Sequence, residues 1–178
     1  NRFGFSREGN SVDRIIFGTK PLEGFKPKGE RDLSPDRGLI TAIAYDHWAN
    51  DTARLFRDNV HALVGAVNYK MDEYALGRDL DLLAYYAHRF EEQNDTNVNT
   101  IGARALSRFG PVYVGLEFAA NLGQTREITE AYRTITNDPA EEQTVRQLGA
   151  RAVARFDQKY WSAYLELDYA SGDGDPNA

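Results

Sequence analysis

Two stretches of this chain are near-copies, and that repetition restricts the fold more than any other feature. The first reads Ile101-Gly-Ala-Arg-Ala-Leu-Ser-Arg-Phe109, then Gly110-Pro111, then Val112-Tyr-Val-Gly-Leu-Glu-Phe-Ala-Ala120. The second reads Leu148-Gly-Ala-Arg-Ala-Val-Ala-Arg-Phe156, then Asp157-Gln-Lys159, then Tyr160-Trp-Ser-Ala-Tyr-Leu-Glu-Leu-Asp-Tyr-Ala170. Each is a pair of alternating segments about a tight polar turn, which is the pattern of a β-hairpin. A supersecondary unit that occurs twice predicts a repetitive architecture.

Side chains alternate across a strand, so each segment has two faces. In the first copy Ile101, Ala103, Ala105, Ser107 and Phe109 share one face, and Arg104, Leu106 and Arg108 the other. Its return strand sets Val112, Val114, Leu116 and Phe118 against Tyr113, Gly115 and Glu117. In the second copy Leu148, Ala150, Ala152, Ala154 and Phe156 oppose Arg151, Val153 and Arg155. The last strand sets Trp161, Ala163, Leu165, Leu167 and Tyr169 against Ser162, Tyr164, Glu166 and Asp168.

A half-buried soluble sheet also alternates. Two details point to a membrane barrel. The segments are about 9 to 11 residues long, the length that crosses a bilayer at a strong tilt. Aromatics (Phe109, Phe156, Trp161 and Tyr169) stand at the ends of the apolar faces, where an interfacial girdle lies. On this reading the apolar face meets lipid and the charged face an aqueous lumen.

Bulk hydropathy does not oppose it. Only 42% of the 178 residues are hydrophobic and mean hydropathy is −0.58. A barrel strand shows lipid every second residue, so a hydropathy window passes over it. No apolar run reaches the length of a transmembrane helix. Cysteine is absent, which removes disulfide and thiolate chemistry. The net charge of −6 argues against nucleic acid as a partner. The chain opens in mid-pattern at Asn1 and stops at Ala178, and is read as a fragment or a processed chain forming one domain over 1–178.

Further candidate strands run Val12–Gly18 (the return of a hairpin begun near Phe3), Leu39–Trp48, Val60–Asp72 and Asp79–Phe90. With the repeated hairpins this gives roughly eight to ten strands, nearly all antiparallel neighbours. Long loops are expected at about 19–37, which holds Pro21, Pro27 and Pro35, and at about 121–144. Tight turns at 109–111 and 156–159 are expected on the periplasmic side and long loops outside. Strand parity puts 19–37 with the tight turns, an exception to that habit. Helical readings compete over 74–90, over a short loop helix at 138–143 that starts with Asn137-Asp-Pro, and from there through Phe156.

The final strand and its continuation, Tyr164-Leu-Glu-Leu-Asp-Tyr-Ala-Ser-Gly-Asp-Gly-Asp-Pro176, resembles the alginate export family of Gram-negative outer-membrane porins. The Gly-Ala-Arg-Ala strands and Trp161 are similar to that family too. The resemblance implies an all-β, antiparallel up-and-down transmembrane barrel, of about eighteen strands in the whole protein. It also implies bacterial outer-membrane localisation and passive export or uptake of an anionic polysaccharide, alginate-like, or of a small anionic solute. Outer-membrane lipid and periplasmic export machinery would be the partners, with no cofactor and no metal.

Arg104, Arg108, Arg151 and Arg155 are the leading site candidates, joined by Arg89 and Lys70. In a lumen they form a basic ladder that favours carboxylate or sulfate groups. The competing reading is structural: they pair with Glu117, Glu166, Asp168 and Asp81 on neighbouring strands. Tyr113 and Tyr164 are candidate stacking platforms for sugar rings. Asp173 and Asp175 beside Asp168 and Glu166 read as a solvated turn before they read as a calcium site. His47, His61 and His88 have no metal-ligand spacing and read as ordinary strand-face residues. Nothing assembles a nucleophile, an acid–base pair or a phosphate loop, so an enzyme is not expected. The alternative function is a soluble antiparallel barrel or sandwich binding a small ligand, which requires the Ile101/Ala103/Ala105/Phe109 face to be interior and the arginine face to lie outside.

Overall fold

The computed structural model describes residues 11–50, 60–92, 95–126 and 141–171. They form one antiparallel sheet of eight strands: β1 (Ser11–Thr19), β2 (Gly38–Asn50), β3 (Val60–Tyr74), β4 (Gly77–Glu91), β5 (Thr96–Phe109), β6 (Val112–Thr125), β7 (Gln143–Asp157) and β8 (Ser162–Ala170). The order across the sheet is the order along the chain, so each strand pairs only with its sequence neighbours. The sheet is an open up-and-down meander with edges at β1 and β8. Closure into a barrel is not seen among the described residues. No helix among them is long and apolar enough to cross a membrane, which says nothing of strands.

Each predicted strand that falls on described residues is present, and most are longer than the alternation suggests. β6 runs to Thr125 and β7 begins at Gln143, so the ladder Thr125↔Gln143 through Val112↔Phe156 is continuous. The extensions are polar on both faces (Asn97, Asn121, Gln124, Thr144), which ends the hydrophobic pattern before the hydrogen bonding ends. The helical readings fail for the same reason. Gly77–Glu91 pairs on both sides, with β3 and β5, and apart from the bulge between Arg78 and Asp81 its backbone is committed to those two ladders. A helix carried through Phe156 would forfeit the whole β6–β7 ladder. Half of the expected loop helix at 138–143 falls outside the described residues; of the rest, Glu141 and Glu142 are not helical and Gln143 opens β7. The hairpin begun near Phe3 also lies outside them, apart from β1.

Phe109 leads into a two-residue turn in which Gly110 has φ +59, a left-handed conformation that glycine adopts without strain. The β7–β8 turn is closed by Gln158 N–H donating to Trp161 O at 2.9 Å. These turns, the Ala75–Leu76 turn and residues 20–37 all lie at one end of the sheet. The long connection 20–37 is therefore a real exception among tight turns. It is also organised, with two 3-10 turns, Pro21–Phe25 and Lys28–Glu30. Glu23 is buried and accepts from Lys26 Nζ (2.9 Å) and Asp32 N–H (2.8 Å). Lys20 Nζ donates to Ser34 O across the segment at 2.9 Å. The Lys26 ammonium and the Asp32 amide hold the Glu23 carboxyl below its usual range, and the Ser34 amide does the same for Asp32.

The register puts every apolar face on one side of the sheet. Ile43, Leu63, Val67, Tyr86, Ile101, Leu116, Phe118, Leu148 and Leu167 share that side. They are the exposed ones: Ile43 is 65% and Leu116 55% accessible. The opposite side holds the charged residues and is the more sheltered, with Asp46 at 2%, Ala62 at 4% and Ala44 at 6%. Usual inside–outside polarity is thus inverted, and no second layer of described residues covers the apolar side.

Candidate functional site

Hydrogen-bonded register turns alternate residues of adjacent strands into rows across the sheet. On the charged side one row runs Leu83, Arg104, Glu117, Arg151, Asp168. A second runs Arg108, Tyr113, Arg155, Tyr164. Between them lies a row of mostly smaller side chains: Leu106, Gly115, Val153, then Glu166. Apart from Leu83, Glu166 and Asp168, these residues line a concavity of about 570 Å³, with Arg104, Arg108, Tyr113, Arg151, Arg155 and Tyr164 among them. The near-copied Ala-Arg segments are therefore brought side by side, separated only by β6.

The arginines are paired. Arg104 Nη2 donates to Asp81 Oδ2 at 3.1 Å, and Asp81 also accepts from Asn68 Nδ2 at 2.7 Å. Arg108 approaches Asp79 at 3.5 Å. Arg151 reaches Glu166 at 2.5 Å and Asp168 at 3.7 Å, and Tyr164 Oη donates to Glu166 at 2.5 Å. Arg155 bonds Asp157 at 2.8 Å, at the end of its own strand. Both readings of the ladder fit this geometry: each guanidinium has a structural acid, and all four arginines line the concavity. Arg104 Nε is buried and makes no hydrogen bond.

All ten expected lumen residues fall on this one side, but not in one cluster. Arg104, Arg108, Arg151, Arg155, Glu117, Tyr164, Glu166 and Asp168 are contiguous. Lys70 stands opposite Asp81 on β3, at the flank. Arg89 stands between Ala62 and Val98, toward the other end of the strands. Glu117 faces Arg104 and Arg151 in register, but forms no ion pair within 4 Å among the described residues. Asp173 and Asp175 lie outside the described residues, and among those described no group of three metal-ligating side chains is assembled.

Several contacts escaped the sequence. Asp79 and Asp157 hold arginines from a bulge and a strand end, where alternation gives no side. Arg14 forms a bidentate pair with Asp46, at 2.6 and 2.7 Å, on the same side of β1 and β2. A basic residue on one strand and an acidic one on the next were visible; their register was not. Tyr85 lies across Gly102, where a Cβ would collide with its ring, so glycine there makes room for an aromatic over the charged side.

The fold and the site thus define an all-β, antiparallel up-and-down sheet with one apolar and one charged side. Comparison with known proteins adds no relative: no family model, curated protein or solved structure matches the chain.

Proposed function

We propose that this sheet forms part of the wall of a bacterial outer-membrane β-barrel channel, of the alginate-export type. Its cargo is an anionic polysaccharide or a small anionic solute that moves passively, without a cofactor. The observation that carries the proposal is the inverted polarity: large apolar side chains occupy the exposed side and arginines with carboxylates the sheltered one. A bilayer stabilises that arrangement and water does not. The dimensions agree. The apolar stripe on β6 runs from Val112 to Leu122, roughly 33 Å at about 3.3 Å per residue. At a tilt of about 40° this spans about 25 Å, the height of a lipid-facing band. Inside, Arg104, Arg108, Arg151 and Arg155 lower the barrier to carboxylate or sulfate groups, while their acids keep them in place.

The absence of cysteine makes the test direct. Single cysteines at Ala103 and Arg104 are introduced and the chain is reconstituted in lipid vesicles. A label at 103 is expected to report hydrocarbon, and a cysteine at 104 to react with a water-soluble thiol reagent. If the protein stays dispersed without detergent, with 103 shielded by protein and 104 in bulk water, the channel is wrong and a soluble ligand-binding sheet replaces it.

A further inference from the structure

The concavity over β5–β8 is not uniformly polar. Between the row of Arg104 and the row of Arg108 its floor is Leu106, Gly115 and Val153, in register on three adjacent strands. Gly115 is buried, and a Cβ there would meet Val153 Cγ2 at 2.6 Å and Leu106 Cδ2 at 2.9 Å, so those two side chains close over it from either side. The edge of the Tyr113 ring stands 3.9 Å from the same point. The result is an apolar floor two strand spacings wide, about 9.6 Å, between arginine rows about 13 Å apart along the strands. The walls are cationic. Four guanidinium groups and one carboxylate, Glu117, line the concavity. Asp79, Asp81, Asp157, Glu166 and Asp168 pair with those arginines but do not line it. Arg108, Tyr113 and Arg155 form the row on the far side of the floor from Glu117. Arg108 Nε is sheltered and makes no hydrogen bond among the described residues, with Asp79 3.5 Å away.

We propose that this concavity is a subsite for aromatic carboxylates, monoacids of benzoate size, on the solute's path. It rests on the channel reading above and narrows the small anionic solute named there. The carboxylate sits between Arg108 and Arg155, whose planar forks match its two oxygens. The ring then lies over Leu106, Gly115 and Val153, beside Tyr113, and its apolar surface leaves water. Glu117, the one lining carboxylate, is at the other side of the floor, away from the bound charge. A volume of about 570 Å³ is in the range of small-ligand pockets. A uronate unit of a polysaccharide fits this floor worse. Its hydroxyls lose water against side chains that offer neither donor nor acceptor, and that loss is uncompensated.

The test is isothermal titration calorimetry of the full chain in neutral detergent micelles, with benzoate and with glucuronate, each blanked against empty micelles. Benzoate should saturate a single site, with glucuronate weaker by on the order of tenfold or more. R108Q/R155Q should abolish benzoate binding with strand content kept by circular dichroism, and R108K/R155K, which keeps the charge and loses the forks, should retain part of it. Val153→Thr puts a hydroxyl in the floor. It should weaken benzoate several-fold and narrow its lead over glucuronate, a change of ratio that loss of fold does not produce. Glucuronate binding as tightly as benzoate overturns the aromatic assignment and leaves a polysaccharide channel standing. Saturable benzoate binding untouched by R108Q/R155Q puts the ligand elsewhere and overturns the site. Saturation by neither solute overturns the inference alone, because the label at 103 judges the channel separately. Benzoate binding by a chain whose residue 103 is shielded by protein keeps the ligand class and overturns its place on a membrane path.

Discussion

The two near-copied hairpins, β5–β6 and β7–β8, use the same letters to different ends. Arg104 and Arg108 look back to β4, to Asp81 and Asp79, and Arg151 looks forward to Glu166 and Asp168 on β8 while Arg155 takes Asp157 beside it. β5 has partners on both sides, whereas β8 is an edge and is exposed along its whole length. The repeat fixes where a guanidinium stands and which way it faces. For Arg104, Arg108 and Arg151 the neighbouring strand decides what holds the group, and for Arg155 the end of its own strand does.

The glycines of the copies should separate most clearly. Gly102 lies under Tyr85, whereas a Cβ on Gly149 would meet only backbone oxygens at 3.9 and 4.0 Å. Gly102→Ala should lower unfolding stability by about 1–2 kcal/mol through displacement of that ring. Gly149→Ala should stay within about 0.5 kcal/mol. Denaturant unfolding in micelles measures both, and equal costs would mean that Tyr85 does not depend on Gly102. Recovery of part of the loss in G102A/Y85A would tie the cost to the contact.

Removing the acids should sharpen the contrast on a smaller scale. Asp81 alone serves Arg104 and also takes Asn68, so Asp81→Asn is expected to cost about 1 kcal/mol. Arg151 keeps Asp168 when Glu166→Gln removes its other partner, and half-exposed pairs contribute little, so that loss should fall within about 0.5 kcal/mol. Glu117→Gln has no close partner to break. Its stability should be unchanged and, on the proposed channel reading, reversal-potential measurements should show a higher anion preference, because a carboxylate between two arginines has gone. An unchanged preference would place the conducting path elsewhere.

The smallest effect lies outside both copies, in the segment 20–37. The Glu23 and Asp32 carboxyls titrate below their ordinary range in the folded segment. Depressed folded values mean that the stabilisation is present above the unfolded carboxylate range and is lost as pH falls through the folded values. The raised Lys26 value has the opposite sense, present below the ordinary lysine range and lost as pH rises through the folded value. Protection factors for amide exchange at Asp32 and Ser34, taken relative to the intrinsic rate at each pH, should therefore be highest near neutrality and fall in acid, with Glu23→Gln flattening the acid limb at Asp32.

Period-two patterns were legible because they are local. Ile101, Ala103, Ala105 and the interposed Arg104 and Arg108 announce a strand and its two sides without knowledge of any partner. Register was not legible, and register is what brings Arg14 to Asp46 and His47 to His61, which are far apart in sequence. The order within 20–37 was hidden for a related reason: Lys20 to Ser34 and Asp32 to Glu23 are side-chain-to-backbone bonds with no periodic signature. Strand ends were missed where both faces turn polar, as at Asn97 and Gln124.

Because spatial order equals chain order, the meander has a kinetic and modular meaning. Each strand finds its partner across one connection, so pairing proceeds as successive short closures, each small in entropy, with no distant segment awaited. Stability becomes a chain of nearest-neighbour terms, as in a solenoid. A lesion in one ladder weakens that ladder and leaves those farther along intact. Such a sheet lengthens or shortens by whole hairpins, and the near-copies of 101–120 and 148–170 read as the record of one such addition.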